Sequence, residues 1–254
     1  MSPSRIHFYQ EHLADLHQAL VQHPTVLKHL SGRNIRLDGV ALLPEDTFST
    51  PFGNISALEF ARLFSVFDGS RVHQQAEHKL GLDNAPPGLY YTVINPRLIQ
   101  APFKNKLGLY APDAGTNCRL IYALHIDHFY LSATLAPPYL GRFAFALCAI
   151  TAYLSGLVRI SLMAAGGLGY SARYIGYRFW PKLGFDAPLH TGETAGQMRL
   201  TGCATVQDVL AIDEAWWISA GSQRPMVFDL APHSASWQKL VPYISTQIAP
   251  GRLI

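Results

Sequence analysis

The stretch Leu120-Ile-Tyr-Ala-Leu-His-Ile-Asp-His-Phe-Tyr-Leu-Ser132 alternates polar with apolar side chains and predicts a strand. A Pro137-Pro138 turn follows, then Gly141-Arg142 and a small, apolar segment from Phe143 to Val158. The β-branched and apolar run Val158–Ala164 leads to Gly166-Gly167, and a second helical segment closes at Trp180-Pro-Lys-Leu-Gly-Phe-Asp186. The order reads strand, turn, helix, strand, helix, strand. A strand joined through a helix to a parallel strand is a βαβ crossover. The turn before its helix lies at the carboxyl end of a strand, where open α/β sheets bind ligands. Free N–H groups and the positive end of the helix dipole suit a phosphate there.

Outward from this stretch, the elements are shorter. Phe8 to Gln22 has amphipathic helical spacing and stops at Pro24. Ser56 with Glu59 forms a capping box, so a second helix is expected over 56–67. His73–Lys79 is polar and reads as a short helix or a solvated loop. Leu89–Asn95 and Leu107–Ala111 read as strands, and the Pro112–Gly115 turn makes the second a hairpin partner of Leu120–Ser132. Beyond Asp186, His190–Gly202 reads as a loop or strand pair. Helices are expected over 205–217, with Thr205 as N-cap, and over 234–244. The expected fold is one α/β unit: a helical N-terminal part (1–80), a central core (89–190) and a C-terminal part (191–254).

Composition narrows the class. The 254 residues are 49% hydrophobic and 15% charged, with a net charge of +3 and no Lys/Arg block. That suits a globular protein and speaks against a nucleic-acid partner. Cys118, Cys148 and Cys203 have no metal-ligand spacing, so reduced thiols, a cytoplasmic setting and no metal are expected. Phe143–Val158 is bounded by Arg142 and Arg159. It falls short of the ~20 residues of a membrane span and reads as a buried helix.

The segments Pro137-Pro-Tyr-Leu-Gly-Arg142 and Gly176-Tyr-Arg-Phe-Trp-Pro-Lys-Leu-Gly-Phe185 resemble the Gcn5-related N-acetyltransferase (GNAT) superfamily, over about a quarter of the chain. The resemblance implies a mixed central sheet flanked by helices, with acetyl-CoA or another acyl-CoA as co-substrate. It also implies a small-molecule or peptide amine as acceptor. The coenzyme is expected against Tyr130, Leu131 and Ser132 at the strand end, Gly141, Arg142, Phe143 and Ala144 at the helix start, and Tyr174. Departures from the family pattern are Leu140 in place of Arg or Gln, Phe143 and Phe145 in place of glycines, and Trp180 in place of a Tyr acid. Arg142 and the helix dipole would then carry more of the phosphate affinity.

Candidate chemistry sits in His125-Ile-Asp127-His128. On a strand His125 and Asp127 share one face and His128 takes the other. Asp127 or His125 is the expected general base, and Tyr177, one turn from Tyr174, the expected acid. The same residues also suit a hydrogen-bonded polar pair at a sheet end, or a metal site with a third ligand. Gly166-Gly167-Leu-Gly169 is no P-loop, and no Gly-x-Ser-x-Gly elbow is present. Two readings result: an acyl-CoA-dependent N-acyltransferase acting by direct attack, or a GNAT-like fold without CoA chemistry, serving as a binding module or reassigned enzyme.

Overall fold

A computed structural model of the chain describes residues 2–50, 52–81, 83–112 and 122–248. In chain order it contains α1 (Pro3–Phe8), a π turn (Tyr9–Leu13), α2 (Ala14–Gln22), α3 (Pro24–His29), β1 (Arg36–Leu37), β2 (Val40–Ala41), β3 (Thr47–Thr50), β4 (Gly53–Ser56) and α4 (Ala57–Leu63). Next come β5 (Arg71–Glu77), β6 (Gly88–Ile94), β7 (Asn105–Tyr110), β8 (Ala123–His128), α5 (Leu140–Leu154) and β9 (Arg159–Gly167). After these follow α6 (Gly176–Phe179), two short 3-10 turns, α7 (Val206–Ala220), β10 (Ser222–Asp229) and α8 (Ala235–Ile248). The expected strand over 120–132 is therefore β8; Leu120, Ile121, Cys118 and most of the Pro112–Gly115 turn lie outside the described residues.

The main sheet is mixed and mostly antiparallel, in the order β10-β9-β8-β7-β6-β5-β1-β2. Two pairs are parallel, β8 with β9 and β1 with β5. The helix joining β8 to β9 is α5. It is apolar nearly all round because it is covered on both sides: the sheet lies beneath it, and α2, α3, α4 and α8 pack over it. Phe145 meets Trp180, Phe185 and Phe228 at ring-centroid distances of 5.7, 5.1 and 5.5 Å. Arg5 donates to the Tyr153 and Leu157 carbonyls at 2.7 and 2.9 Å, which ties the chain's start to the end of α5. No helix among the described residues is long and apolar enough to cross a membrane.

The capping box at Ser56–Glu59 forms as expected, and Thr205, the expected N-cap of α7, closes a second one with Asp208. The helix and strand expected to close the unit at Asp186 are reduced to the four-residue α6, a 3-10 turn and an isolated bridge at Asp186, and three further segments differ from the sequence expectation. Arg71–Glu77 is a strand, antiparallel to β6, in place of the short helix or loop expected over His73–Lys79. Val72 is its one fully buried side chain, so backbone ladders on both edges hold it without an apolar alternation. The 1–80 part carries two small hairpins besides its helices. Strand β10 was not expected, and it seals the outer edge of β9.

Candidate functional site

The parallel pair β8/β9 is hydrogen-bonded over three positions, Leu124↔Ile160, His125↔Ser161 and Ile126↔Leu162. Past Ile126 the two strands part, although each keeps its antiparallel neighbour: β7 reaches His128 and β10 reaches Gly167. The parting has visible causes. A register shift at Lys106/Leu107 bends the β7–β8 ladder. The Tyr130 N–H then donates to Asn105 Oδ1 at 2.6 Å, and the Ser132 N–H to the Leu98 carbonyl at 2.8 Å. These bonds draw the end of β8 away from β9.

The gap is a cleft of about 740 Å³, within the usual range for small-ligand sites. One wall is the continuation of β8 through Tyr130, Leu131 and Ser132. The other is the end of β9 with the segment 173–176 laid across it. That crossing needs glycines: a Cβ on Gly166 would stand 1.9 Å from the Tyr174 carbonyl oxygen, and one on Gly176 2.8 Å from the Ala165 nitrogen. Leu162 and Ile126 face the α5 side of the sheet, whereas Asp127, Met163 and Ala165 face the opposite side. All five line the cleft, so it passes through the sheet from one face to the other.

At the α5 end, Tyr139 takes a left-handed conformation (φ 66°) and the helix has no side-chain cap. The N–H groups of Arg142 and Phe143 both turn back to the Tyr139 carbonyl. Arg142 lies over the rings of Tyr139 and Tyr243 and donates to Gln247 at 3.0 Å. Its guanidinium is thus fixed at the cleft mouth. Across the cleft stands Arg173, exposed and without an ion pair among the described residues.

The face opposite α5 is polar. Asp127, nearly buried, lies 3.2 Å from Lys106 Nζ and 3.3 Å from His128 Nδ1. Burial opposes its ionisation, but the hydrogen bonds from His128 and Lys106 outweigh burial and hold its carboxyl below the usual range. The same bond to Asp127 raises His128 above its ordinary value against the pull of burial. Lys106 also meets Glu77 at 3.1 Å and lies 4.8 Å above the Tyr90 ring. His125 is buried between Tyr90 and Tyr110 and donates or accepts at Ser161 Oγ, 2.9 Å away. Burial pushes its imidazole down to about 4, so it is neutral near neutral pH. Asp83, Asp127 and His128 place ligand atoms within 4.8 Å of one another, the one such set among the described residues. The internal ammonium of Lys106 already neutralises part of that set.

Of the residues expected at the site, Asp127, Tyr130, Leu131, Ser132, Gly141, Arg142 and Tyr174 line the cleft. Four do not. His125 is buried beside it. Tyr177 is buried and donates its phenolic proton to the Ile218 carbonyl at 2.6 Å, which ties up the group expected to act as acid. Phe143 and Ala144 lie inside α5, because the helix already begins at Leu140; Phe143 packs against His23 at 4.6 Å. Phe143 and Phe145 therefore do not obstruct the cleft. Trp180 lines it, but carries no transferable proton at working pH. The sequence set His128 on the other face and singled out none of Arg173, Asn105 and Lys106. The alternation fails at His128 because the β7–β8 register shift leaves Asp127 without a residue opposite.

No protein-family model, curated protein or solved structure matches this chain.

Proposed function

We propose that the protein is an acyl-CoA-dependent N-acyltransferase of the GNAT type. The observation that carries this reading is the parting of the parallel strands β8 and β9 beneath the uncapped start of α5. A coenzyme arm can run along residues 130–132 on the side turned away from the bonds that Tyr130 and Ser132 make to Asn105 and Leu98. Its phosphates would meet Arg142 and Arg173 and the positive end of the α5 dipole. The acyl group would then lie in the gap, reachable by an amine from the opposite face.

An acceptor R–NH3+ loses one proton to a base, and its nitrogen lone pair attacks the thioester carbonyl. The C–N bond forms, the C–S bond breaks, and the second nitrogen proton ends on the departing thiolate. The products are amide, free thiol and one released proton.

His128 is the base that fits this scheme best. Its imidazole is half-exposed in the cleft, and Asp127 engages Nδ1, which leaves Nε2 for the incoming amine. A base works best with a pKa near the working pH, and the Asp127 contact moves His128 in that direction. Asp127 itself is held too acidic for the task, and His125 too weakly basic. Tyr174, exposed at the cleft wall, is the phenol placed to return a proton to the thiolate.

Calorimetric titration with acetyl-CoA and with free CoA tests the reading. Saturable binding of both, with thiol release on adding an amine, is the expected result. No binding at millimolar coenzyme would favour the alternative, a cleft without CoA chemistry.

A further inference from the structure

We propose that the rim of the cleft at its α5 end is a docking surface for an acidic carrier protein that presents the acyl group on a phosphopantetheine arm. Delivery of the acyl group rests on the acyltransferase reading above; the docking does not.

Charge is the first argument. Residues 129–185 contain no Asp or Glu, although 17 occur in the 254-residue chain. Apart from Gln100 and residues 126–128, every residue lining the cleft comes from this stretch. Its cations Arg142, Arg173 and Arg178 have no ion pair among the described residues. The carboxylates Glu77, Asp83 and Asp127 belong to the opposite face, so the two ends of the cleft differ in sign. A positive rim attracts an acidic protein and raises its association rate.

Exposed apolar surface is the second argument, and it sets the size of the partner. The loops on either side of the mouth, 132–139 and 168–175, carry Leu135, Tyr139, Leu168, Tyr170, Tyr174 and Ile175. These are six of the sixteen large apolar side chains exposed among the described residues. Apolar groups gathered in one exposed place mark an interaction site, and Tyr and Arg are the side chains that protein interfaces favour. Leu135, Leu168 and Tyr170 lie outside the lining of the cleft. A ligand held within the cleft leaves them in water, so the partner that covers them is larger than a coenzyme. Two loops with a cleft between them match a protruding protein surface better than a flat bilayer. Three arginines are few for a nucleic-acid backbone.

The loops are shaped before anything binds. The Leu135 N–H donates to Ser132 Oγ at 3.2 Å, and the Leu168 N–H to the Gly221 carbonyl at 3.0 Å. A preorganised surface loses less freedom on association.

The place of the rim identifies what the partner brings. It surrounds the mouth by which the arm enters, and a protein seated there closes that mouth to a separate coenzyme. The arm then belongs to the partner. Acyl-CoA bears the same arm and enters when the rim is free. A carrier-borne arm ends in one phosphodiester, whereas coenzyme A adds a second, bridging phosphate and a 3′-phosphate. The start of α5 suits the smaller demand. Pro137 and Pro138 have no N–H, and Leu131 closes on Gly141, where a Cβ would stand 3.0 Å from Leu131 Cδ1. Arg142 and Arg173 flank the one phosphate. The transfer itself is unchanged: the thiol that leaves stays on the carrier's arm.

Surface plasmon resonance on the full chain at low salt tests the inference. The probes are an acidic acyl carrier protein in its apo form, without the arm, and in its acetylated holo form. Cytochrome c, a basic protein, and phosphatidylglycerol vesicles are the controls. Both carrier forms are expected to bind, the holo form about ten-fold more tightly, and less so as salt is added. Leu168→Ser with Tyr170→Ser, both exposed and outside the cleft, is expected to weaken both forms about ten-fold. Acetyl-CoA affinity, read by calorimetry, should stay as in the wild type. Failure of both carrier forms, no gain from the arm, indifference to the double substitution, equal binding of cytochrome c, or binding of the vesicles in the carrier's place would each overturn the proposal. So would a dimer in sedimentation that the same substitutions abolish, since the rim would then belong to a second copy of the chain. Carrier binding without acyl transfer to n-butylamine would uphold the docking and remove the acyltransferase reading. Acetyl-CoA turnover without any carrier binding would do the reverse.

Discussion

The two faces of β8 have opposite fates. Leu124 and Ile126 enter a dry core with α5, whereas His125 and Asp127 enter a hydrogen-bonded polar layer with Tyr110, Lys106 and Ser161. Both faces are largely closed to water, but they are closed by different means. The first is sealed by a helix that is itself covered. The second is sealed by tyrosine rings and ion pairs, which can exchange partners. One strand thus carries stability on one side and chemistry on the other, and the cleft opens where its pairing to β9 stops.

The largest effect should come from the polar side. His128→Ala is expected to lower turnover with a saturating amine by about 10²–10⁴-fold, the range for a lost general base. Acetyl-CoA affinity, read by calorimetry, should change little. Full turnover in that variant would move the chemistry off this face. On the apolar side, Leu147→Ala should cost ~2–5 kcal/mol in urea unfolding, through lost transfer energy and a cavity. A loss under ~0.5 kcal/mol, the surface range, would show that α5 is not packed from both sides.

The same contrast explains what could be read in the sequence. The β8–α5–β9 unit was legible because its faces are chemically pure: alternation in β8, continuous apolar residues in α5. Strand β10 was not, because its inward positions are Arg224, Met226 and Phe228, with Pro225 between them. A buried arginine breaks the apolar alternation and is tolerable only because Glu193, distant in sequence, pairs with it and Trp217 lies beneath it. Strand β5 hid for the related reason that its ladders, and not its side chains, hold it. At the site, strict alternation sets His128 on the face away from Asp127, whereas the register shift against Lys106/Leu107 leaves Asp127 without a residue opposite and the two side chains meet. Phe143 and Ala144 were expected at the coenzyme because they stand at the helix start, but α5 begins at Leu140 and both turn into the core.

A smaller effect separates the faces by pH. His125 is neutral in the folded protein, its value pushed down to about 4 by burial, against ~6.5 when unfolded. Between those values the unfolded chain binds more protons, so stability rises with pH. The contribution is complete above pH ~6.5 and is lost as pH falls toward 4. Its full size is about 3 kcal/mol, from ~1.4 kcal/mol per pH unit. Asp127, held below the carboxylate range, adds a loss at still lower pH as it protonates. His128 has the opposite sign: its raised value adds stability below ~6.5 that fades as pH rises through the folded value. It is half-exposed, so solvent screening makes this contribution the lesser one. Urea midpoints from pH 4 to 8 should therefore climb in the wild type and flatten in His125→Gln. A curve of equal slope in both would mean that His125 is not held neutral by its surroundings.

The smallest effect concerns how the α5 end of the cleft would hold phosphate. The helix start offers few N–H groups, because two of the earliest turn back to Tyr139 and the preceding residues are Pro137 and Pro138. Side-chain cations must then supply a large share of any phosphate affinity. Arg142 is anchored by Gln247 and two tyrosine rings, whereas Arg173 on the opposite wall has no such anchor among the described residues. A fixed cation loses less side-chain freedom on binding than a loose one. Arg142→Ala is therefore expected to weaken acetyl-CoA about ten-fold, and Arg173→Ala about three-fold, at low salt. Both losses should shrink as salt is added, since exposed charge contacts are screened within about 10 Å at 0.1 M. Equal losses would show that anchoring does not matter here. An affinity indifferent to salt and to both substitutions would place the phosphates away from α5, and the cleft would then be filled from its polar face alone.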